Sequence, residues 1–426
     1  MNKTVNLYPA FTNLSLYLGL VCSAFLLFTS PCWGQDSTKA APRIGGIEQV
    51  GNRIEFDDAE KSIRIKPWKD LTLREAKEQL AQLTGLSLGA DYTSAFFFSN
   101  ADMGARYTSG GMARFYGNWT LVNRTGANTG SFVFKIEHRH KYTSTALTDM
   151  IQSNGYVGFV MQPFSDKGFI TTNLYWFQNL LKGRLLVIGG FLDPTDLVDM
   201  WGLSSSWMHF TANVFSNGAD VIALPNESTL GLAVGGWLSD HIYGMAAIQN
   251  LNADPSAIFE GVNTLSNGEF LKHLELGMTS DNDYLFVDNV HLTFWHRDAF
   301  AASNHKEGWG ILASANKKLR DQWMPFLRVA IGQDGGSILQ TSISGGLSYQ
   351  IVEDGDLFGI GYSWGQVNES TYRPGLRNQQ MVEVFYRLVL TEFLAITPDL
   401  QWLYNPALNP TQNSLFVVGV RGRLAI

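Results

Sequence analysis

The alternating pattern of the C-terminal strand constrains this chain more than any other feature of its sequence. From Phe416 to Ile426 the even positions are apolar or glycine, whereas the odd positions include Arg421 and Arg423. Alternate side chains of an extended strand point to opposite faces. One face of this strand is therefore wholly apolar, and the other carries two guanidinium groups. The pattern recurs after Leu86 in segments of about ten residues, which is typical of transmembrane β-barrel strands.

Other segments repeat this alternation, for example Ile343–Ile351 and Val382–Leu390, and they are longer than the usual strands of soluble proteins. Counting backward gives eighteen candidate strands, of which Tyr156–Gln162 and Trp207–Phe215 are weak. Leaving both out preserves the up-and-down parity of the chain. The sequence therefore predicts an all-β fold, a transmembrane antiparallel β-barrel of about 16 strands, with 18 strands as the alternative.

Connections of two lengths are predicted to alternate strictly over the C-terminal third. Tight turns are expected at residues 281–283, 319–321 and 353–355 and near Glu392, and longer loops at residues 298–306, 333–339, 366–378 and 405–413. This asymmetry is typical of a barrel with one periplasmic and one outer end. Barrels this wide leave a water-filled channel, which has room for a loop. The longest loop, Asp193–Ser228, is expected to fold into this channel and narrow the pore.

The N-terminus predicts export. Lys3 precedes an apolar stretch, Leu14–Phe28, and the sequence Cys32-Trp33-Gly34 offers small residues to a signal peptidase, so residues 1–34 are expected to be a signal peptide. Cys22 and Cys32, the two cysteines of the chain, both lie in this segment, which excludes a disulfide framework and a thiolate metal site from the mature protein. No later segment approaches eighteen consecutive apolar residues, so no transmembrane helix is expected.

The region before the barrel divides into two parts. Residues 35–70 are polar, of mixed charge and without a period, and we expect an irregular periplasmic N-terminal segment. Residues 71–426 are expected to form a short helix plus the outer-membrane barrel. Thr72 and Glu75 have capping-box spacing at the start of the helix Leu73–Leu83, and Gly85 ends it. The net charge of −7 argues against nucleic acid as a partner.

Strand parity places a set of polar and aromatic residues on the inner face of the barrel. An arginine facing lipid at mid-bilayer costs about 2–4 kcal/mol, so these side chains must face water or each other. Guanidinium and carboxylate groups can replace the hydrogen bonds of a sugar to water, and Trp295 can stack on a sugar ring. Alternatively, these charges only solvate the pore and brace its wall. The pore-lining candidates are Glu137, Arg139, His291, Trp295, Arg297, Arg328, Glu383, Arg387, Asp399, Gln401, Arg421 and Arg423.

Three further motifs each have an ordinary structural explanation. Ser363 lies in a nucleophile-elbow pattern, but in the middle of a strand, where that motif needs a sharp turn and a helix. His138 and His140 share a strand face and can chelate a metal, yet their apolar neighbours on that face indicate the membrane boundary. Acidic turns around Asp281 and Glu353 can hold calcium, although such residues are common in turns. We therefore predict no catalytic residue, no metal and no cofactor.

Four C-terminal segments and the first helix–strand unit carry a family resemblance. They are Asp356–Gly365, Val382–Leu390, Ile396–Gln401, Asn405–Pro410 and Leu73–Thr93. Together they resemble the carbohydrate-selective porin (OprB) family. The resemblance implies a sixteen-stranded outer-membrane barrel that passes sugars by facilitated diffusion, with charged residues of both signs at its constriction. The terminal Ile426 departs from the aromatic residue that usually ends such barrels.

The sequence thus predicts an outer-membrane porin, not an enzyme, that allows passive, facilitated diffusion of small hydrophilic solutes, with carbohydrates the favoured class. Its partners would be these solutes and outer-membrane lipids, and its oligomeric state is left open. Solute binding is expected to be weak, about millimolar or ~4 kcal/mol, because a tight site would stop flux. The alternatives are a non-selective general porin, a surface-exposed barrel adhesin or antigen, and a barrel enzyme.

Overall fold

The computed structural model describes residues 44–65, 73–225, 227–280 and 284–426. In these ranges sixteen strands close into one antiparallel barrel, in which each strand pairs with its neighbours in sequence and β1 pairs with β16. The strands are β1 Leu86–Ser99, β2 Tyr107–Val122, β3 Gly130–Lys141, β4 Gly168–Leu180, β5 Leu185–Leu192, β6 Thr229–Trp237, β7 Ile242–Asn250, β8 Phe270–Thr279, β9 Asn289–Arg297, β10 Gly308–Asn316, β11 Trp323–Asp334, β12 Leu339–Gln350, β13 Leu357–Val367, β14 Gln379–Val389, β15 Leu394–Tyr404 and β16 Ser414–Ala425.

Helices are few and short. The α-helices of the described ranges are α1 Val50–Asp58, α2 Leu73–Thr84, α3 Met150–Ser153 and α4 Glu260–Asn263. Single 3₁₀ turns occur at Leu147–Asp149, Leu181–Gly183, Pro194–Asp196, Asn213–Phe215, Thr264–Asn267 and Ala301–Ser303. Within the described residues, no helix has both the length and the apolar character needed to cross a membrane.

The predicted strand count is confirmed, and the alternative of eighteen strands is wrong. Tyr156–Gln162 and Trp207–Phe215 are not barrel strands, because both lie within long connections. They touch each other through an isolated antiparallel bridge between Val160 and Ala212. Their apolar residues, which gave them a weak strand pattern, are buried inside the barrel.

The alternation of β16 behaves as its sequence predicts. Phe416, Val418 and Val420 are exposed on the outer surface, whereas Arg421 and Arg423 point inward and are buried. Because the same period of two runs through every neighbouring strand, large apolar side chains cover the outside of the barrel. An outer surface of this kind suits a lipid environment.

Helix α2 was predicted correctly, but the segment before it was not. The helix begins at Leu73 and is followed by Gly85, whose φ of +77° ends it; the predicted cap Thr72 lies outside the described residues. Irregular structure was expected throughout residues 35–70, yet α1 is a regular helix whose first N–H groups bond to the Gln49 side chain. The prediction failed because burial inside the barrel stabilises this short helix, and no local periodicity reveals such burial.

Connections at the two barrel ends differ in length, but less regularly than predicted. At one end they are residues 123–129, 181–184, 238–241, 280–288, 317–322, 351–356 and 390–393, and at the other 100–106, 142–167, 193–228, 251–269, 298–307, 335–338, 368–378 and 405–413. The expected loop 333–339 is wrong, because β11 and β12 continue to a turn of residues 335–338 in which Gly335 and Gly336 have positive φ. The turn predicted at residues 281–283 lies outside the described residues.

Three segments enter the barrel and fill much of its interior. Residues 193–228 fold inward, as predicted, and residues 142–167 and 44–58 do the same, which the sequence analysis missed. An aromatic cluster packs in the lumen, with ring centroids 4.6 Å apart for Phe210 and Phe215 and 4.9 Å apart for Phe210 and Phe385. The wide water-filled channel expected from the strand number is therefore narrowed by packed side chains.

The outer surface gives a testable prediction about lipid exposure. Val420 lies outward in the middle of β16, so Val420→Arg should lower the free energy of unfolding in lipid vesicles by about 2–4 kcal/mol. Ser414→Arg, at the end of the same strand, should cost about 0–1 kcal/mol, since arginine is tolerated near the membrane interface. Urea titration of the refolded barrel measures both values, and equal costs at the two positions would contradict a lipid-facing surface.

Candidate functional site

All twelve predicted pore-lining residues lie on the inward faces of their strands, and all are buried by other parts of the chain. They do not form one site. Their contacts divide them into an ion-pair group on β3, a group facing the N-terminal segment, two groups that hold residues 193–228, and the pair Trp295 and Arg297. Most of these groups hold an inserted segment of the chain within the lumen.

The β3 group pairs opposite charges in the wall of a cavity. The Arg139 guanidinium donates to Glu137 at 2.8 Å and to Glu227 at 2.9 Å, and Lys167 donates to the same Glu227 oxygen at 2.8 Å. Lys135, one position earlier on the same face, lies 3.6 Å from the Asp193 carboxylate. The cavity has a volume of about 90 Å³, enough for several water molecules.

The wall of this cavity is chemically mixed. It includes both signs of charge and one large aromatic ring: Glu48, Lys135, Arg139, Asp193, Trp207 and Glu227. The Arg114 guanidinium lies 4.4 Å from the centroid of the Trp207 ring. This cation–π contact fixes the orientation of the ring. The cavity therefore combines hydrogen-bond donors, hydrogen-bond acceptors and part of an aromatic side chain.

A second group joins the N-terminal segment to the barrel wall. Arg423 donates to both Asp57 carboxylate oxygens at 2.8 Å and to Asp91 at 2.8 Å. Arg114 bridges Asp91 at 2.7 Å and Glu48 at 3.1 Å. This network extends from β1, β2 and β16 to both ends of the segment Glu48–Asp57.

Burial and neighbouring charges shift the pKa values of Glu48 and Asp57, the two carboxylates of this segment, in opposite directions. Burial by itself raises the pKa of Glu48, but the guanidinium groups of Arg53 and Arg114 lower it to about 2. For Asp57, burial likewise raises the pKa, and Arg423 reverses the effect and lowers it well below its usual range. Both groups are therefore ionised at neutral pH and hold the segment by charge.

The third group holds the middle of the loop 193–228. Glu383 accepts hydrogen bonds from the Thr211 N–H, from the Thr211 hydroxyl at 2.9 Å and from the Ala212 N–H at 3.0 Å. Gln401 donates to the Thr211 hydroxyl at 2.6 Å and to Asp399 at 2.9 Å. Arg421 donates to the backbone carbonyl oxygens of residues 206 and 209.

The fourth group holds the same loop through one aspartate. Asp199 receives hydrogen bonds from His291 at 3.0 Å and from Arg328, and the Arg328 guanidinium also lies 4.7 Å from the Trp201 ring centroid. Glu275 accepts from the Asp199 N–H at 2.6 Å. His291 and Arg328, proposed from sequence as pore-lining, thus contact protein groups and brace the loop.

Trp295 and Arg297 pack against the loop 193–228, β11 and the turn that follows β11. Trp295 is 3% exposed, and a Cβ at Gly332 would lie 2.9 Å from both the Trp295 ring and the Val221 side chain, so only glycine fits there. Arg297 donates to the Gly335 carbonyl at 2.7 Å. The structure does not present the Trp295 ring to a solute, contrary to the stacking hypothesis.

The sequence analysis missed several residues that join these groups. Lys135 has the same strand parity as Glu137 and Arg139, and parity predicts its inward position. Asp91 and Arg114 also alternate with apolar residues, and the same parity predicts that they point inward. Trp207 and Glu227 lie in a loop, where no periodicity indicates direction. Only the fold reveals that these loop residues meet β3.

The remaining motifs have the positions expected of structural residues. Ser363 lies inside β13, which continues to Val367 without the turn that a nucleophile elbow needs. His138 and His140 lie on the outer face of β3, with their Nδ1 atoms 3.2 Å apart. Residues 353–355 form part of a short turn. The described residues contain no group of three His, Cys, Asp or Glu side chains that could hold a metal.

The geometry defines a class of protein. A closed sixteen-stranded antiparallel barrel with an apolar outer surface, a charged inner wall and a long inward loop has the architecture of a porin. The profile described as "Carbohydrate-selective porin, OprB family" matches residues 278–425. The resemblance predicted from the C-terminal motifs is thereby confirmed over this part of the chain. None of the curated proteins compared matches the sequence.

Solved porin structures share this fold at low sequence identity. The structure titled "High pH structure of Pseudomonas putida OprB" is 14% identical, with 85% of this chain and 99% of that chain covered and a TM-score of 0.68. A mutant of the Rh. blastica porin is 13% identical, with 80% of this chain and all of that chain covered and a TM-score of 0.51. At these identities the likeness establishes the barrel fold alone.

Two buried aspartates of the loop predict a pH dependence. Burial raises the pKa of Asp196 and of Asp220 to about 7. An aspartate whose pKa is higher in the folded protein favours the packed loop while it is protonated, and this contribution is lost as the pH rises from about 4 to 7. Conductance in planar bilayers should therefore increase toward pH 8 as the loop loosens.

Replacing both carboxylates separates this effect from general titration. Asp196→Asn with Asp220→Asn should hold conductance at its acidic value up to pH 8, because neither side chain can then ionise. Asp321→Asn, in an exposed turn, should retain the wild-type pH profile. An unchanged profile in the double variant would exclude these aspartates as its origin.

Proposed function

We propose that this protein is a porin of the bacterial outer membrane that allows passive, facilitated diffusion of small hydrophilic solutes, with carbohydrates as the favoured class. The solute crosses without covalent chemistry, so the protein acts as a channel. Residues of the inner wall exchange hydrogen bonds with the solute as it loses hydration water. Binding must remain weak, ~4 kcal/mol at millimolar affinity, to permit release.

One observation carries this proposal, namely the mixed cavity beside β3. Arg139 and Lys135 offer charged donors, Glu227 and Asp193, which pair with them, offer acceptors, and Trp207 adds a ring. Sugars present hydroxyl groups at their edges and C–H groups on their faces. A wall that supplies paired donors and acceptors beside an aromatic ring matches both surfaces of such a solute.

The main alternative is a porin without preference for sugars. Liposome swelling with a graded solute series separates the two functions. No geometry favours a surface adhesin, because the long loop that would bind a partner is buried in the lumen. Ser363, the candidate nucleophile of a barrel enzyme, is buried in mid-strand. These alternatives thus lack a specific observation in their support.

The N-terminal segment 44–58 narrows the pathway next to this cavity. Glu48 and Trp207 both line the cavity, and Trp207 also lines a second cavity toward the short-turn end of the barrel. The segment and the Trp207 ring therefore stand between two water-accessible volumes. We propose that solutes passing from one to the other displace these groups.

Liposome swelling with a graded solute series tests the sugar preference. Monosaccharides should enter faster than charged solutes of equal size. Trp207→Ala should raise total flux, because it removes a ring from the pathway, yet lower the ratio of sugar flux to the flux of a neutral non-sugar of equal size. Trp309→Ala, on the outer face of β10, is the matched control and should change neither. Equal wild-type rates for all solutes of one size would identify a non-selective porin.

Removing the charges of the N-terminal segment tests its role in narrowing the pore. Glu48→Gln with Asp57→Asn should raise single-channel conductance several-fold in planar bilayers, because Arg114 and Arg423 then lose their hold on the segment. Asp58→Asn removes the next carboxylate, which pairs with Lys77 on α2 and not with a barrel-wall arginine, and should leave conductance unchanged. Unaltered conductance in the double variant would show that the segment does not limit flow.

A further inference from the structure

A second cavity lies at the short-turn end of the barrel and differs in character from the first. Its volume is about 30 Å³, which is enough for about two water molecules. It lies between Phe56 of the N-terminal segment, Lys61 shortly after that segment, and the ends of β14 and β16, which contribute Arg387 and Arg423. Positive charge predominates in this lining.

Two of these cations have no carboxylate partner among the described residues. Arg387 is 8% exposed, and its guanidinium contacts only the Gly355 carbonyl at 3.2 Å, the Met208 sulfur at 3.7 Å and the Phe56 ring, 5.5 Å from its centroid. Its Nε is buried without a hydrogen-bond partner. Lys61 donates only to backbone carbonyl oxygens, at 2.7 and 3.5 Å.

The carboxylates nearby are engaged elsewhere. Asp57 pairs with Arg423, and Asp356 accepts from Arg64 at 3.1 Å, from Tyr386 at 2.9 Å and from a backbone N–H. Glu392 lines the cavity, but its carboxylate lies toward Arg74, 3.8 Å away. Burial, together with the charges of Arg423 and Arg387, lowers the pKa of Lys61 to about 8 although Asp57 acts in the opposite direction.

Buried charge without a counter-charge is costly, and a small anion would offset that cost. We propose that this cavity is an anion-binding site, in which Arg387 and Lys61 hold one chloride- or carboxylate-sized monovalent anion between the N-terminal segment and the barrel wall. The guanidinium supplies directed donors, and the ammonium group supplies a second charge. The small volume excludes larger anions.

Chloride-35 NMR line broadening of the full-length protein in detergent tests the proposal directly. Wild-type protein should broaden the chloride signal, and sodium acetate added at constant ionic strength should reverse the excess broadening by displacement. Arg387→Gln should weaken chloride binding at least tenfold. Lys318→Gln, which removes an exposed turn lysine, is the control for loss of one positive charge and should bind as the wild type does.

A second variant distinguishes loss of anion binding from misfolding of the barrel. Lys61 lies outside the barrel strands, so Lys61→Gln leaves the β-sheet intact and should also weaken binding. Heat-modifiable electrophoretic mobility confirms that each variant forms a barrel. Equal broadening by wild type, Arg387→Gln and Lys61→Gln would overturn the proposal. Since the readout is equilibrium binding, a failure of sugar permeation would not affect it.

Discussion

The pairing of β1 with β16 is the constraint on which the rest of this structure depends. In a bilayer each backbone N–H and C=O group must be bonded within the protein, and only a closed sheet leaves no open edge. Nine residue pairs, from Asp91 with Ala425 to Ser99 with Val417, close the ring. Once it is closed, the period of two assigns every second side chain to lipid and the others to the interior.

A ring of sixteen strands encloses more volume than its own inward side chains fill, and the chain fills much of it with inserted segments. Those segments bring polar backbone into the lumen, where buried donors and acceptors need partners. The inward charges supply them, as Glu383 does for two N–H groups of the loop and Arg421 for two of its carbonyl oxygens. Charge on the inner wall thus organises loops as well as solvating a pathway.

Sequence periodicity could predict the barrel and the inward direction of each wall residue, but not what each residue meets. Arg421 and Arg423 have the same parity on one strand, yet Arg421 bonds the loop whereas Arg423 bonds the N-terminal segment. The partner of each arginine depends on which segment of the chain lies at that level of the lumen. That position is set by the tertiary fold and not by the local sequence. The same reason explains why α1 was not predicted. Its nine residues carry no strong amphipathic signal, and contacts with the surrounding barrel stabilise the helix.

The N-terminal segment and the loop 193–228 are bound to the wall in different ways, and the difference bears on which one can move. If the N-terminal segment withdrew, Arg114 and Arg423 would keep Asp91 as a shared carboxylate on the wall itself. If the loop 193–228 withdrew, Arg328 would lose Asp199, its ion-pair partner among the described residues. Leaving a buried charge without its partner costs about 3–5 kcal/mol. The N-terminal segment is therefore the part of the constriction whose displacement costs less.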